Sequence, residues 1–407
     1  MCTDTSIMLQ PKTEHSANSF DVLIVGGGWV GISLALMLPQ HWRIAIVEAS
    51  PLSHAAADDR TLVLAHSSQR ILTTLQLWPS LKNAVIPIQQ VHVSSKGHFA
   101  VCRLVAAEFG LEALGYTLPA AALTKALHAS VQQRPNIVWY SPASVSELTY
   151  NQGEPQITLQ LGEKEQVLNA SLIAAADGAQ SKIRQMLQIP IKTHDYNQVA
   201  IVANVQLARA HQNCSLERFM PTGPLAMLPR DKNTSALVWC VPTQQAASML
   251  QWDDEKFLQE LQQALGYRLG RLLQVTPRSG FPVHFIAAQS PVKPGVVLIG
   301  SASCHLHPIA AQSLNLAFRD VAGLAKMLTQ KAQQDSSPGD WQMLKAYENA
   351  CRAEHNRVRW VTHGAVKLFS HPFSGMQTLG ALSLLAVDTI PVAKRHLVRH
   401  AVGKAIR

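Results

Sequence analysis

The stretch Phe20-Asp21-Val22-Leu23-Ile24-Val25-Gly26-Gly27-Gly28-Trp29-Val30-Gly31 decides the fold. Its first six residues form a short apolar run, bounded by glycine, as a buried strand does. Ile32–Leu38 then continues as an apolar helix. Gly26, Gly28 and Gly31 fit GxGxxG, and the chemistry needs each of them. Gly26 permits a tight turn, Gly28 lets the backbone approach a pyrophosphate, and Gly31 lets helix and strand pack closely. The first turn of the helix presents free N–H groups to phosphates. Arg43–Glu48 reads as the next strand and ends in Glu48, 17 residues beyond Gly31, where a carboxylate can accept hydrogen bonds from a ribose. Strand, glycine turn, helix, strand and acid together make a βαβ dinucleotide-binding unit. Trp29, bulky beside such a loop, reads as helix packing.

Outward from this unit the pattern is mixed. Val91–Ser95, Phe99–Leu104, Val138–Trp139, Ile157–Leu161 and Ser171–Ala175 read as strands, and Leu123–Arg134 as a helix. From Gln198 to Pro242 the chain is strand-rich, with Ala200–Val205 and Ala236–Cys240 the clearest runs. Asp254–Leu273 reads as helix, Val296–Ile299 as a short buried strand, Ala317–Thr329 as helix and Gln330–Pro338 as a loop. The chain thus opens α/β, turns β-rich, and returns to strand–loop–helix. The expected fold class is α/β. A discontinuous Rossmann-type nucleotide domain comes from residues 19–75, 117–190 and 285–365. A β-sheet substrate domain comes from 76–116 and 191–284. A C-terminal helical segment covers 366–407, and residues 1–18 form a disordered tail.

Composition narrows the class. The 407 residues are 47% hydrophobic and 15% charged, which marks a globular chain with a large core. The formal charge of +9 has an address: Lys394, Arg395, Arg399, Lys404 and Arg407 fall in the last 17 residues, which contain no acid. With the apolar run Met376–Val387 just before, this end resembles an interfacial anchor over anionic lipid. It does not resemble a nucleic-acid groove, and no nucleic-acid motif is present. The chain is therefore expected in the cytoplasm, peripherally attached to the inner face of the membrane. The polar first 18 residues do not read as a signal peptide, and no run of roughly 20 apolar residues reads as a membrane span. Six scattered cysteines form no CxxC pair, so free thiols and no metal site are expected.

Two later segments sharpen the reading. Ala174-Ala175-Ala176-Asp177-Gly178-Ala179-Gln180-Ser181-Lys182-Ile183-Arg184 follows one strand. Gly300-Ser301-Ala302-Ser303-Cys304-His305-Leu306-His307-Pro308 follows another and runs on through Gln312, Ser313 and Asn315 to Asp320. In these segments the chain resembles the single-component aromatic hydroxylases with the fold of para-hydroxybenzoate hydroxylase. The resemblance implies that the nucleotide domain binds FAD. It implies that Asp177 and Gly178 brace the flavin, that Gly300 and Ser301 face its ribityl chain, and that Gln312, Ser313 and Asn315 lie near its ring. Asp59-Arg60-Thr61-Leu62-Val63-Leu64-Ala65 is similar to the DxRxxAL signature of the ubiquinone-biosynthesis hydroxylases, in which the arginine contacts FAD. Tyr196-Asn197-Gln198, Glu217-Arg218-Phe219, Gly223–Pro229 and Val238-Trp239 are similar to landmarks of their substrate domain. Leu306-His307-Pro308-Ile309-Ala310 looks most like the branch of 2-polyprenyl-6-methoxyphenol hydroxylases. The similarity runs from about residue 20 to 403.

What the resemblance implies is an FAD-dependent monooxygenase that hydroxylates a polyprenylated methoxyphenol in ubiquinone biosynthesis through a flavin hydroperoxide. NADPH or NADH is the implied electron donor and molecular oxygen the co-substrate. Other enzymes of that pathway are implied partners. No second GxGxxG follows, so the donor is expected to visit the FAD domain. Phenols react faster as phenolates, which makes His307 and His305, just before the flavin loop, the candidate bases. The chain departs from the family at Ser301, where an Asp or Asn is usual, and at Ala311, Ser313 and Ala317, where glycine is usual. A Cβ at such positions costs on the order of 1 kcal/mol where φ is positive. These losses motivate one alternative, a flavin-poor prenyl-quinone-binding or scaffold subunit. A flavin hydroxylase of a soluble aromatic is another.

Overall fold

The computed structural model describes residues 18–51, 58–308, 312–334, 336–369 and 374–403. The tail expected over 1–18 therefore lies outside the described residues except for Asn18, as do Ile309, Ala310, Ala311, Lys404 and Arg407. The first sheet has the strand order Val292–Lys293, Val296–Leu298, Lys164–Ala175, Ser19–Val25, Ile44–Val47, Ile137–Tyr140. Its central pairings are parallel, with Val25 opposite Ala175 on one side and Val47 on the other. Parallel strands are covered on both faces, which is why these segments are continuous apolar runs. On one face Val22, Ile24, Ile44 and Ile46 meet Leu34, Leu127 and Phe318 from three helices (Trp29–Met37, Ala120–Gln132, Gln312–Gln333). On the other, Leu23, Val25, Ala45 and Val47 meet Ile157, Leu159 and Leu168 of an antiparallel meander.

The second sheet is antiparallel for the most part and has nine strands. Its principal order is Cys304–His305, Ser279–Ala288, Ile191–Leu207, Thr234–Pro242, Gly223–Asp231, Cys214–Met220, Gln90–Ser95, Val101–Val105. Period-two alternation gives it two buried faces. Ile201, Leu216, Leu225, Leu237 and Trp239 pack against the helices Thr243–Gln251 and Asp254–Leu265. The opposite face turns toward the nucleotide domain and the C-terminal helices, where Phe219 and Cys102 meet Phe369, Leu384 and Val398. A small third sheet, Thr61–Ala65 with Gly115–Pro119 and Ile86–Ile88, stands between the two large ones. Across that junction Thr117 Oγ1 donates to the Pro229 carbonyl, and Arg230 pairs with Asp59.

Two sequence expectations change in the structure. The helix from Asp254 stops at Leu265, because Gly266 turns to φ +77° and the Gln262 side chain accepts from the Leu272 N–H that opens the next strand. The helix expected to end at Thr329 runs on to Gln333, and it starts earlier, at Gln312. The C-terminal segment forms the helices Ser374–Thr389 and Pro391–Ala401. They cover the second sheet, and the Val402 carbonyl accepts from the Ser67 N–H of the nucleotide domain.

Candidate active site

The glycine loop has the geometry its sequence asks for. At Gly26 (φ +109°) an added Cβ would lie 2.4 Å from the Ala176 carbonyl oxygen, and at Gly31 only 2.0 Å from that of Gly26. At Gly28 a Cβ would meet nothing within 4 Å, so this residue faces open space at the N-terminus of the helix Trp29–Met37. No side chain caps that helix, which leaves its first N–H groups for an anion. Glu48 accepts from the Gly27 N–H (2.8 Å) and the Ser50 N–H (2.8 Å). A carboxylate held this way keeps lone pairs for ribose hydroxyls. Trp29 Nε1 donates to Thr124 Oγ1 at 2.8 Å, a packing contact with the helix Ala120–Gln132.

The two later segments converge on this loop. Gly300 lies against Val30, 3.1 Å from where its Cβ would be. Gly178 faces open space. Asp177 Oδ2 accepts weakly from the Ile183 N–H at 3.2 Å, while Oδ1 is buried with no partner among the described residues. An orphaned buried acceptor costs about 1–3 kcal/mol, so this atom calls for a donor from a bound group. Arg184, quoted in the sequence but given no role there, clamps the segments together. Its guanidinium donates to the Ala302 carbonyl (2.9 Å) and the Ala179 carbonyl (2.7 Å) while being 5% exposed. We expect Arg184→Ala to cost about 3 kcal/mol of stability from two charge-assisted bonds. It should also weaken FAD binding at least about 10-fold, and Arg184→Lys should not rescue it, because a point charge cannot span both carbonyls. Unchanged FAD affinity in the variants would remove the clamp from the site.

The remaining candidates fall into three settings. Arg60 pairs with Asp58 at 2.6 Å and stands 5.8 Å over the Trp29 ring, beside the glycine loop. Asn315 is buried inside the protein: its carbonyl accepts from the Ala65 N–H (2.7 Å) and Ser68 Oγ (2.7 Å), and its amide donates to the Val63 carbonyl (2.9 Å). Asn315 therefore ties the flavin-loop helix to the strand Thr61–Ala65. Ser313 closes the loop on itself, since its hydroxyl accepts from the Leu306 N–H at 3.1 Å. Gln312 opens the helix and is half-buried, and Ala317 is buried in it. Ser301 Oγ lies 3.4 Å from His305 Nδ1. Burial, with His284 adding to it, holds the His305 pKa below its ordinary value. His307 is 1% exposed, with Nε2 3.2 Å from Gln198 Oε1 and its ring edge-on to Tyr196 at 4.8 Å. It thus joins the flavin loop to the substrate sheet.

A second cluster escaped the sequence reading. Asp320, on the flavin-loop helix, accepts from His355 at 2.7 Å, and Cys351 brings its sulfur within 4.8 Å of both. Burial pulls the His355 pKa down, but Asp320 and Cys304 raise it to about 10. The signal was the spacing of Cys351 and His355, four apart on one helix.

A glycine loop at a helix start, a carboxylate at the end of the next strand and an orphaned acceptor after a further strand fit a dinucleotide that carries a flavin. Such a fold and site define an FAD-dependent monooxygenase. The family described as FAD binding domain matches residues 19–360. The ubiquinone hydroxylase UbiL of Rhodospirillum rubrum is 32% identical over 97% of this chain and 92% of that one. An uncharacterized protein of Synechocystis is 30% identical over 95% of this chain and 94% of its own length. In fold, the p-nitrophenol 4-monooxygenase PnpA of Pseudomonas putida superposes with a TM-score of 0.77 at 16% identity, over 94% of this chain and 98% of that one. The chain belongs to the FAD-binding domain family and, within it, to the ubiquinone-biosynthesis hydroxylases.

Proposed function

We infer that the substrate is a polyprenylated phenol, hydroxylated where it emerges from the membrane surface. Support comes from the His307–Gln198 contact, which sets the flavin loop against the apolar face of the substrate sheet. In this reading Gly26, Gly28 and Gly31 shape the pyrophosphate site, and Glu48 binds the ribose. Arg60, Asp177 and Gly178 hold the cofactor from its other side, while Gly300, Ser301, Gln312, Ser313 and Asn315 build the wall beside the ring. Bound FAD, with NADPH or NADH and molecular oxygen, supplies an electrophilic oxygen atom. The protein orients the ring, excludes water and handles the phenol proton. His305 and His307 serve as anchors of the loop, each bonded to a protein partner.

The reading is tested by oxygen uptake and product analysis with phenols of graded prenyl length. Hydroxylation that rises with tail length supports it. Equal turnover of a soluble phenol points to the soluble-aromatic alternative, and a protein that takes up no FAD points to the scaffold alternative.

Membrane contact belongs to the same reading. Among the described residues, no helix is long and apolar enough to cross a membrane. Yet Trp360, Val361, Leu379, Leu382 and Val392 of the last three helices, and Ile390 between the last two, are exposed. Arg395 lies on the last of these helices, whereas Lys394 is drawn to Glu108 (3.1 Å) and Asp388 (3.3 Å). We expect Leu379→Glu with Leu382→Glu to abolish co-sedimentation with anionic vesicles at the cytoplasmic face's composition, with melting unchanged. Retained vesicle binding would exclude this face.

A further inference from the structure

We propose that Glu217 is the group that takes the phenol proton. This rests on the hydroxylase reading above. Glu217 lies on the strand Cys214–Met220, whose pairing with Gly223–Asp231 and Gln90–Ser95 runs without a bulge. Strict alternation therefore puts Glu217 on the same face as Phe219. That face looks toward the flavin loop: Phe219 stacks on Phe369 at 3.9 Å, and both share an apolar cluster with Tyr196. Tyr196 in turn packs against His307, Leu306 and Leu316 of the flavin segment. A continuous apolar path thus leads from the flavin loop to the neighbourhood of the Glu217 carboxyl.

The surroundings of Glu217 leave it nothing to bind within the protein. Its partners across the sheet are Ala226 and Val93. It has no hydrogen-bond or ion-pair partner among the described residues. The charged neighbour on its own strand, Arg218, points to the other face and donates to the Leu265 carbonyl. His92 sits in register with Leu216 and shares that other face. On the Glu217 face the neighbouring titratable groups include Cys102 and Tyr196, whose pKa values burial raises further above neutral, and beyond Cys102 the charges of Asp388, Lys394 and Glu108, which pair with one another. His307 is engaged with Gln198. Yet Glu217 is only half-buried, so part of it borders space rather than packed atoms. A carboxyl without a partner in apolar surroundings is an isolated acceptor waiting for a donor from outside.

Burial pushes the Glu217 pKa up to about 7, which suits a base that must be half-charged near neutral pH. In the step proposed, the phenol O–H bond breaks and its proton moves to a Glu217 carboxylate oxygen. The electron pair stays on the phenolate oxygen, which activates the ring carbon beside it. The nicotinamide donor and dioxygen of the family reaction supply the remaining electrons and the oxygen atom.

The test compares the FAD-loaded wild type with Glu217→Gln, which keeps the shape and loses the base. The folded-state pKa is raised, so the carboxyl favours folding below its ordinary value of 4.5 and loses that contribution as pH rises through 7. The variant should accordingly melt no lower than wild type at pH 8, so it remains testable. We expect flavin reduction by NADH or NADPH to stay unchanged. Product formed per donor oxidised should fall on the order of 100-fold, the lower end for a lost general base. Hydrogen peroxide should replace product, and the rising limb of the pH profile should vanish. A second readout does not depend on the natural substrate: at pH 7.5 bound 4-nitrophenol should show several-fold more nitrophenolate in Glu217→Gln than in wild type, because the Glu217 carboxylate beside it disfavours a second negative charge. Equal nitrophenolate in both proteins would overturn the proposal, as would product formation within about 3-fold with the pH limb retained. If Glu217→Gln shifts the ionisation of bound 4-nitrophenol in this way but wild type oxidises no prenylated phenol, the substrate reading falls and the base stands.

Discussion

Gly31→Ala is expected to yield a colourless protein. A Cβ at this position would sit 2.0 Å from the Gly26 carbonyl oxygen, and that atom belongs to the loop that must curl around the phosphates. Loop and helix would have to part by about 1 Å to reach ordinary contact, which breaks the alignment of N–H groups at the helix start. We expect FAD affinity to fall at least 100-fold, which is about 2.8 kcal/mol at 1.4 kcal/mol per tenfold. The melting temperature of the apoprotein should fall as well. Gly28→Ala separates folding from binding. Its Cβ meets no protein atom, so the apoprotein should melt as wild type, yet the methyl group fills the space that the pyrophosphate needs. Flavin fluorescence titration and thermal melting of both variants decide the matter. If Gly28→Ala binds FAD as wild type does, the phosphates do not lie where the loop points.

The second large effect concerns the pair of Asp320 and His355. Asp320→Ala should cost about 3–5 kcal/mol, because it removes the buried partner that keeps a half-buried imidazole charged. A fall in Tm of order 5 °C follows. The folded-state pKa of His355 is about 10, above its ordinary 6.5. The pair's contribution is therefore complete below pH 6.5 and disappears as pH rises through 10. The gap in Tm between wild type and variant should be widest near pH 6 and narrow toward pH 10. A gap that does not change with pH would mean that the imidazole is neutral in the folded protein. Because Asp320 sits on the helix that emerges from the flavin loop, and Cys304 of that segment also contacts His355, the variant should release FAD more readily.

What could be read from the sequence follows from how local its causes are. Gly26, Gly28 and Gly31 are set by one turn of backbone, and six consecutive residues carry the whole requirement. The parallel sheet was visible in Val22–Val25, Ile44–Val47 and Ser171–Ala175 because both faces of each strand are buried. Asn315 was visible as a residue, but its work was not, since its partners Val63, Ala65 and Ser68 lie about 250 residues away. Arg184 and Asp320 are similar cases: each acts on a backbone or side chain that only the closed fold brings near. Of the three glycine losses, Ala311 lies outside the described residues, and the other two sit in ordinary surroundings. The Ser313 hydroxyl bridges the Leu306 backbone, and Ala317 is buried in a regular helix turn, where a methyl group is tolerated. Glu217 was noticed only as part of a landmark. Its isolation depends on Ala226, Val93 and the turn of the sheet, none of which spacing reveals.

The order of strands in the first sheet sets a schedule for the newborn chain. The strand Ser19–Val25 bonds to residues near 170, and those bond to Val296–Leu298. A ribosome must therefore have released the chain through Leu298 before the floor of the glycine loop is complete. Until then the early apolar strands wait without their neighbours, and such high-separation pairings form slowly. Loading with flavin thus waits for the strand Val296–Leu298. A cell short of riboflavin would hold closed but less stable apoprotein, because a ligand bound by the folded state alone adds to its stability.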